Sequence, residues 1–458
     1  MGFQDGDFRS ISTLRGLLDS RAISASELLQ DTLDLVEKTN PELNSFVMVT
    51  EELAREQAAA ADDRMMKNGP KSPLDGIPLA IKDLYDTAGI TTAGGTSAFE
   101  NRIPDKNATV VENLAEAGMV TIGKTNTHEL ALGGTTNNPH YGPTRNPWDL
   151  NRVPGGSSGG SGAALAAGQV PAALGTDTGG SVRIPASFCG VTGHKPTFGL
   201  VKTDGIIPLS RTLDHAGPMA RSALDCALLL DGMTTPGSAT LFSENIHEPI
   251  AGIRLAVIPA LTENCEPHVG KSFEYSLSIL EKIGVVITEI DPMGGAEDWR
   301  TALYPIIVAE GATYIEEILR NSPELIGEAV RTRMLKGLDA SLHEYVRALE
   351  WRAAVENYFD FALINNDLDG YIVPTSPQVA ELIDTDPHTG IEPAIKFRNT
   401  SIFNNTRQPS ISLPNGFDDN GLPTGLMITT AKRTDSLTLR IGHNFQQDTD
   451  FHLQRPSA

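Results

Sequence analysis

The pattern of hydrophobic and polar positions predicts helices and strands in turn along most of the chain. Ser24 and Glu27 form a capping-box pattern before an amphipathic run, which predicts a helix that ends near Pro41. A short apolar run at 77–82 predicts a strand. A strand, a helix and another strand follow one another between residues 253 and 290. This alternation is typical of α/β proteins.

The same pattern gives no sign of a second domain. Residues 295–365 are rich in Glu and Arg and predict a long helical segment. No interdomain linker and no internal repeat separates the two halves of the chain. We therefore predict a single large domain over residues 1–458, with its core of sequence motifs at about 75–220.

Two glycine–serine clusters interrupt this pattern. They read GGSSGGS at 155–161 and GTDTGGS at 175–181, on either side of a short Ala-rich run. Glycine lets the backbone approach a ligand closely, and successive free N–H groups in such a turn can bind an anion. A hydroxyl at the end of the turn would lie beside donors for a developing oxyanion. The clusters predict that one serine is a nucleophile and that another assists it.

Lys82 ends the predicted strand and has apolar residues on both sides. These flanking residues indicate that the aliphatic stem of the lysine is buried. Burial disfavours a charged ammonium group, so it would lower the pKa of Lys82 and allow the neutral amine to act as a base.

Taken together, these stretches resemble the amidase signature family of serine hydrolases. The resemblance lies in DGIPLAIKDLYD around Lys82, in GGSSGGSGAALAAG and in GTDTGGSVRIPASFCGVTGHKPT, and weaker likeness runs from about residue 24 to 447. It implies an α/β fold with a mixed sheet of many strands, covered by helices on both faces. It also implies that the helical segment 295–365 lies near the substrate entrance.

The resemblance also implies roles for individual residues. The family's triad of a lysine, a serine in a cis peptide and a nucleophilic serine falls on Lys82, Ser157 and Ser181. The implied oxyanion hole consists of four backbone N–H groups, those of Thr178, Gly179, Gly180 and Ser181. Three residues would support this arrangement: Asp177, Arg183 and Ser158.

The implied activity is amide hydrolysis. Ser181 would form an acyl-enzyme, with release of an amine or ammonia and then of a carboxylic acid. Linear amides would be the main substrates, and carbamates, anilides and esters are open as further ones.

Composition adds expectations about partners and compartment. The 458 residues include 36 Lys+Arg and 58 Asp+Glu, a net charge of −22, which opposes non-specific binding to nucleic acids or anionic membranes. Three scattered cysteines indicate a reducing compartment, and no secretory or membrane-spanning segment is evident. We predict a cytoplasmic enzyme with a small-molecule amide-type substrate, no nucleic-acid partner and no membrane partner, and we leave a homodimer open.

No cofactor and no metal are expected, because the sequence has no His, Cys or acidic cluster with ligand spacing. His128 and His194 are expected to be structural or solvated and not catalytic. The negative net charge also favours a neutral amide or carbamate over an anionic substrate.

Two alternative sites can be set against this interpretation. Ser157 and Ser158 each fit G-x-S-x-G, the nucleophile elbow of an α/β-hydrolase-type esterase, but Pro154 opposes the strand that this elbow needs. Residues 118–125 fit the spacing of a phosphate-binding loop, yet their middle residues predict a strand.

A third alternative retains the same site residues but assigns the chain a different biological role. Amidase-like chains also serve as the glutaminase subunit of a tRNA-dependent amidotransferase, which supplies ammonia to a partner. That subunit typically carries an S-R-Y-G-L-like stretch after the KPT motif. Here residues 201–206 read VKTDGI, and this departure weakens the subunit hypothesis.

Overall fold

Most strands form one large layer in a computed structural model that describes residues 10–234, 241–292, 303–384 and 397–456, and a separate two-stranded pair joins Asn137–Asn138 to Gly142–Pro143. Eleven strands are hydrogen-bonded into a single sheet. In chain order they are β1 (Phe46–Val49), β2 (Pro78–Lys82), β3 (Val120–Thr125), β4 (Ala172–Asp177), β5 (Thr192–Lys195), β6 (His215–Ala220), β7 (Arg254–Val257), β8 (Val286–Glu289), β9 (Gly370–Pro374), β10 (Ser410–Phe417) and β11 (Pro423–Thr430).

The sheet is mixed, and its order interleaves the two halves of the chain. The spatial order is β1-β3-β2-β4-β6-β5-β10-β11-β9-β7-β8. Strands β3, β2 and β4 run parallel, as do β9, β7 and β8, while the strands between β4 and β9 pair antiparallel. Residues 192–195 on β5 pair directly with residues 410–412 on β10, so the sheet continues across both halves.

Helices flank the sheet. In chain order they are α1 (Ile11–Asp19), α2 (Ala25–Leu43), α3 (Glu51–Lys67), α4 (Thr109–Glu116), α5 (Gly159–Ala166), α6 (Arg183–Cys189), α7 (Ala223–Met233), α8 (Pro259–Thr262), α9 (Pro267–Lys282), α10 (Leu303–Tyr314), α11 (Glu316–Asn321), α12 (Glu328–Leu338), α13 (Leu342–Asn365), α14 (Arg398–Asn405) and α15 (Asp435–Gln447). Together with the mixed sheet they confirm the predicted α/β fold of one domain.

Local sequence signals account for several of these boundaries. Ser24 and Glu27 form the predicted capping box at the start of α2. Pro41 lies inside that helix instead of ending it, and the left-handed residue Asn44 caps it directly after its last residue. The predicted phosphate-loop match at 118–125 falls on β3, where Lys124 is fully buried, so it does not form such a loop.

The helical segment forms a helical layer that packs on loops of the first half of the chain, while α13 also packs on the sheet. Its described part, 303–365, contains α10 to α13, as the composition predicts, and residues 295–302 lie outside the described residues. Buried side chains of α10 and α12, such as Ile306 and Met334, form a cluster with Ile207 and Leu213 from the first half of the chain. Within the described ranges, no helix is long and apolar enough to cross a membrane.

Candidate active site

Lys82 is the last residue of β2, and its side chain is fully buried, as its flanking residues predict. Its Nζ lies 2.6 Å from Ser157 Oγ, 2.9 Å from Ser158 Oγ and 2.8 Å from Thr176 Oγ1. Burial holds the pKa of this lysine well below its ordinary value, and nearby carboxylates only partly offset that effect. The amine therefore lies among hydroxyl groups and favours its neutral form.

Ser157 and Ser158 lie where the chain enters α5. The Gly156–Ser157 peptide bond is cis, in agreement with the family resemblance. Ser158 Oγ accepts a hydrogen bond from Thr176 N at 3.2 Å and lies 3.3 Å from Thr176 O. Ser158 thus connects the end of β2 to β4, while Ser157 makes the shortest of the contacts with the lysine.

Ser181 lies at the end of the loop 178–181 that follows β4. It is 8 % exposed, whereas Lys82 and Ser157 are completely buried. Its carbonyl oxygen accepts from Ser158 N at 3.2 Å. Among the described residues, no hydrogen bond joins the Oγ atoms of Ser157 and Ser181. The structure therefore connects Lys82 directly to Ser157 and brings Ser181 beside them through its backbone.

The loop 178–181 also carries the four predicted oxyanion donors. Gly180 N donates to Asp177 Oδ1 at 2.8 Å, so this N–H group is engaged within the loop. The N–H groups of Thr178, Gly179 and Ser181 have no hydrogen-bond partner in the part of the chain that the structure describes. The prediction that all four groups are available therefore needs correction for Gly180, because a carboxylate already holds it.

A buried ion pair anchors this loop. Arg183, the first residue of α6, donates to both carboxylate oxygens of Asp177, at 3.0 and 2.9 Å. Asn404 on α14 donates to Asp177 Oδ1 at 2.9 Å and accepts from Arg183 at 2.7 Å. Burial alone would raise the pKa of Asp177, but the charge and hydrogen bonds of Arg183 bring it below its ordinary value. The carboxylate is thus held charged and oriented directly before the loop.

The predicted structural histidines are buried and have defined partners. His128 Nδ1 accepts from Thr136 N at 3.2 Å, and burial lowers the pKa of this histidine to about 3. His194 lies 3.3 Å from Asp435, and burial lowers its pKa as well. Burial favours the neutral form of both imidazoles, and neither ring forms a hydrogen bond with a side chain of the predicted triad.

Sequence reasoning missed several residues that hold the site. Thr176 contacts Lys82, Asn404 holds the ion pair, and Asp214 accepts from Thr178 Oγ1 at 2.5 Å. Thr176 lies within the GTDTGGS cluster, so the motif itself contained a signal for it. Asn404 is 221 positions from Arg183, and no local pattern connects the two.

No metal site is evident in the described ranges, since no three His, Cys, Asp or Glu side chains there come together as ligands. The expectation that the reaction needs neither metal nor cofactor stays a prediction.

Comparison with known proteins identifies the family. The family model described as Amidase matches residues 27–439. Together with the fold and the buried Lys–Ser contact, this match establishes that the chain belongs to the amidase family, the amidase signature enzymes. It is therefore an enzyme of the class that hydrolyses carbon–nitrogen bonds.

The chain is similar to the A subunit of glutamyl-tRNA(Gln) amidotransferase from Pseudomonas entomophila, with 37 % identity over 97 % of this chain and 98 % of that protein. The solved structure of the corresponding Thermotoga maritima protein has 32 % identity and a TM-score of 0.83, and the match covers 100 % of both chains. A structure described as a vestigial protein complex that reveals the evolutionary origins of an s-triazine catabolic enzyme has 31 % identity and a TM-score of 0.90. That match covers 98 % of this chain and 100 % of the other.

These relatives contradict the predicted partners. We expected a small-molecule substrate and no nucleic acid, and we left a homodimer open. Proteins similar to this chain over almost their whole length are named as one subunit of an enzyme that acts on a glutamyl-tRNA, which implies protein partners and contact with tRNA. The prediction was wrong because the net charge describes the average surface of the protein and not a specific interface.

The ion pair behind loop 178–181 leads to a stability prediction. Arg183→Met would leave the Asp177 carboxylate buried and unpaired, so the free energy of unfolding should fall by about 3–5 kcal/mol. Arg320→Met is the matched control, because it removes only an exposed helical pair with Glu316 and should have a much smaller effect. Denaturant unfolding followed by circular dichroism would measure both. Equal, small losses for the two variants would contradict the anchoring role of Arg183.

Proposed function

We propose that this chain is the amide-cleaving subunit of an amidotransferase of the glutamyl-tRNA(Gln) type. It hydrolyses the side-chain amide of glutamine and passes ammonia to a partner protein in the cytoplasm. The observation that carries this proposal is the similarity to the Pseudomonas entomophila amidotransferase protein over 97 % of this chain and 98 % of the relative. The departure at 201–206 affects one loop, whereas the similarity covers the whole chain.

A cation near the site supports a substrate with a carboxylate. Arg333 on α12 donates from Nε to Ala329 O, and no carboxylate forms an ion pair with it among the described residues. It lies near enough to His128 to help lower the pKa of that histidine, after the larger effect of burial. His128 N in turn donates to Ser157 O at 3.1 Å. We therefore propose that Arg333 binds the α-carboxylate of glutamine, in contrast to the neutral substrate that the net charge predicts.

We assign the proton transfers to Lys82 and Ser157. In its neutral form Lys82 Nζ has two N–H groups, for Ser158 and Thr176, and one lone pair, which accepts the proton of Ser157. Ser157 Oγ then takes the proton of Ser181 as Ser181 Oγ attacks the amide carbon. A rotation of the Ser181 side chain would bring the two hydroxyls into contact for this step.

The same groups act in reverse when the C–N bond breaks. The tetrahedral oxyanion would accept from the free N–H groups of loop 178–181. The Lys82 ammonium returns its proton through Ser157 to the leaving nitrogen, so ammonia departs and Ser181 keeps the acyl group as an ester. Water then attacks this ester with Lys82 and Ser157 again as the base, and glutamate is released.

We further propose that helices α10 to α13 line the entrance to the site. Leu303 at the start of α10 lies 3.3 Å from where a methyl group on Gly179 would be. Arg333 belongs to the same helical layer, so this layer would contact the substrate before loop 178–181 does.

A second candidate is a catabolic C–N hydrolase that acts without transfer of ammonia to tRNA. Two observations favour it. The first is the VKTDGI sequence at 201–206. The second is the TM-score of 0.90 to the structure connected with an s-triazine catabolic enzyme, against 0.83 for the Thermotoga maritima amidotransferase protein.

An ammonia-release assay distinguishes the two candidates. The chain, alone and co-purified with the partner subunits of an amidotransferase, should release ammonia from glutamine. Arg333→Met should raise the KM for glutamine by about tenfold or more, since it removes a charged hydrogen bond, and leave the KM for butyramide within about twofold. No glutamine hydrolysis in either preparation, together with turnover of ureas or heterocyclic amides, would favour the second candidate.

The nucleophile assignment predicts a single reactive serine. Ser181→Ala should lower kcat by at least about 10⁴-fold without loss of fold. A fluorophosphonate should add once to the wild-type chain, on the peptide that contains 175–190. Ser187→Ala is the control within that peptide, because Ser187 is buried on α6 and should not affect labelling. An adduct on Ser157 or Ser158 would instead support the esterase alternative.

The neutral lysine predicts the pH dependence of the reaction. Below its lowered pKa Lys82 becomes protonated and cannot accept a proton, so kcat/KM should rise with pH through that pKa and remain high in the alkaline range. Lys82→Arg should lose about 10²–10⁴-fold in amide turnover, because a guanidinium does not deprotonate. Lys82→Ala should affect activated esters less than amides, since their leaving groups need no proton. An active Lys82→Arg variant would refute this role.

A further inference from the structure

A threonine of the proposed nucleophile loop is held by a half-buried carboxylate outside the predicted site. Thr178 Oγ1 donates to Asp214 Oδ1 at 2.5 Å. The other oxygen, Asp214 Oδ2, accepts from Leu209 N at 2.9 Å and from Ser210 N at 3.0 Å. Asp214 therefore closes the turn 209–214 and fixes it to the first residue of the loop 178–181.

A second carboxylate attaches the same turn to the helical layer. Glu310 on α10 accepts from Ser210 Oγ at 2.7 Å, from Thr212 N at 3.1 Å and from Thr212 Oγ1 at 2.7 Å. Tyr345 on α13 donates to Glu310 Oε1 at 2.7 Å. Each oxygen of this carboxylate thus has two donors, and two helices converge on one short turn.

Close packing leaves this arrangement little freedom. A methyl group on Gly311, the residue after Glu310, would lie 3.1 Å from Leu209 O. Arg352 on α13 donates to Thr212 Oγ1 at 2.8 Å, so α13 also contacts the turn directly. A displacement of α10 or α13 would therefore move the turn and, with it, Thr178.

We propose that Asp214 and Glu310 are positioning residues for amide cleavage, because their carboxylates connect the oxyanion donors of loop 178–181 to helices α10 and α13. The connection runs from Thr178 to Asp214, through the turn 209–214, and on to Glu310 and Tyr345. Because of this connection, the geometry of the oxyanion hole depends on the position of helices α10 and α13 relative to the turn 209–214. The inference rests on the proposed role of Ser181 as nucleophile.

Electrostatics gives Asp214 a second connection to the site. Its negative charge stabilises the ammonium form of Lys82, against the larger effect of burial on that pKa. Tyr85 and Glu310 are the other titratable groups that interact with it. Burial raises the pKa of Asp214 to about 6, and the hydrogen bond from Thr178 acts in the opposite direction.

The rate at which a fluorophosphonate modifies Ser181 tests the inference without knowledge of the natural substrate. Thr178→Val keeps the shape of the side chain and removes the hydroxyl, so modification should slow by about 10–100-fold through misplaced oxyanion donors. Thr178→Ser keeps the hydroxyl and should react within about threefold of wild type. Equal rates for Thr178→Val and wild type, or a Thr178→Ser variant as slow as Thr178→Val, would overturn the proposal.

A double-mutant cycle tests whether Glu310 acts through Thr178. Glu310→Gln is close in shape, but its amide cannot accept from all four donors. It should slow the modification by about tenfold, and the double variant with Thr178→Val should be no slower than the slower single variant. If the double variant slows the modification by the product of the two single effects, the two residues act independently and the proposal fails. Glu316→Gln on the neighbouring helix α11 is an exposed control and should react like wild type.

Asp214→Asn separates positioning from simple structural support. Its amide oxygen can still accept from the two backbone N–H groups, while its NH₂ group can donate to Thr178 Oγ1, so the turn should persist. Modification of Ser181 should therefore stay within about threefold of wild type, whereas Asp214→Ala, which loses the contacts with the turn and with Thr178, should slow it about as much as Thr178→Val. Equal rates for Asp214→Ala and wild type would overturn the role of Asp214.

The wild-type reaction keeps this test distinct from that of the proposed function. Absence of any adduct on Ser181 in wild type would refute the nucleophile assignment itself. Normal labelling of wild type with unaltered rates in the Thr178→Val and Glu310→Gln variants would refute only the positioning role of the two carboxylates.

Discussion

A lysine amine surrounded by hydroxyl groups is the constraint on which the rest of the site depends. Lys82 Nζ contacts Ser157, Ser158 and Thr176, and no carboxylate lies at ion-pairing distance from it among the described residues. A charged ammonium group is costly in such a place, whereas a neutral amine is satisfied by three hydroxyls. The hydroxyls come from β4 and the start of α5, so the surroundings of the amine depend on β2, β4 and α5 being packed together.

The nearby carboxylates do not contact the lysine directly. Asp177 is paired with Arg183 and Asn404, and Asp214 binds Thr178 and two backbone N–H groups. Each is satisfied by its own partners, so both can orient the loop without stabilising the ammonium form of Lys82 through a direct ion pair. The structure thus separates the groups that position the nucleophile from the group that is proposed to accept its proton.

Local sequence could predict the parts of the site that are close together in the chain. Lys82, Ser157 and the cluster 175–181 lie in short motifs whose glycines and apolar neighbours carry a clear physical meaning. Asn404 and Glu310 could not be found in this way, because Asn404 contacts Arg183 across 221 positions and Glu310 contacts Ser210 across 100 positions. The strands at 192–195 and 215–220 were missed for a related reason: each has polar or glycine positions that become buried only between neighbouring strands.

The pairing of β5 with β10 has a consequence for the synthesis of the protein. The ribosome releases residues 192–195 more than 200 positions before their partner strand at 410–412. Until then the nascent chain exposes an unpaired strand edge, which can aggregate or bind a chaperone. Arg183 also lacks its partner Asn404 until 221 more residues have been synthesised. The sheet and the hydrogen bonds around Asp177 and Arg183 are therefore completed at nearly the same time, late in translation. A prematurely terminated chain would have neither.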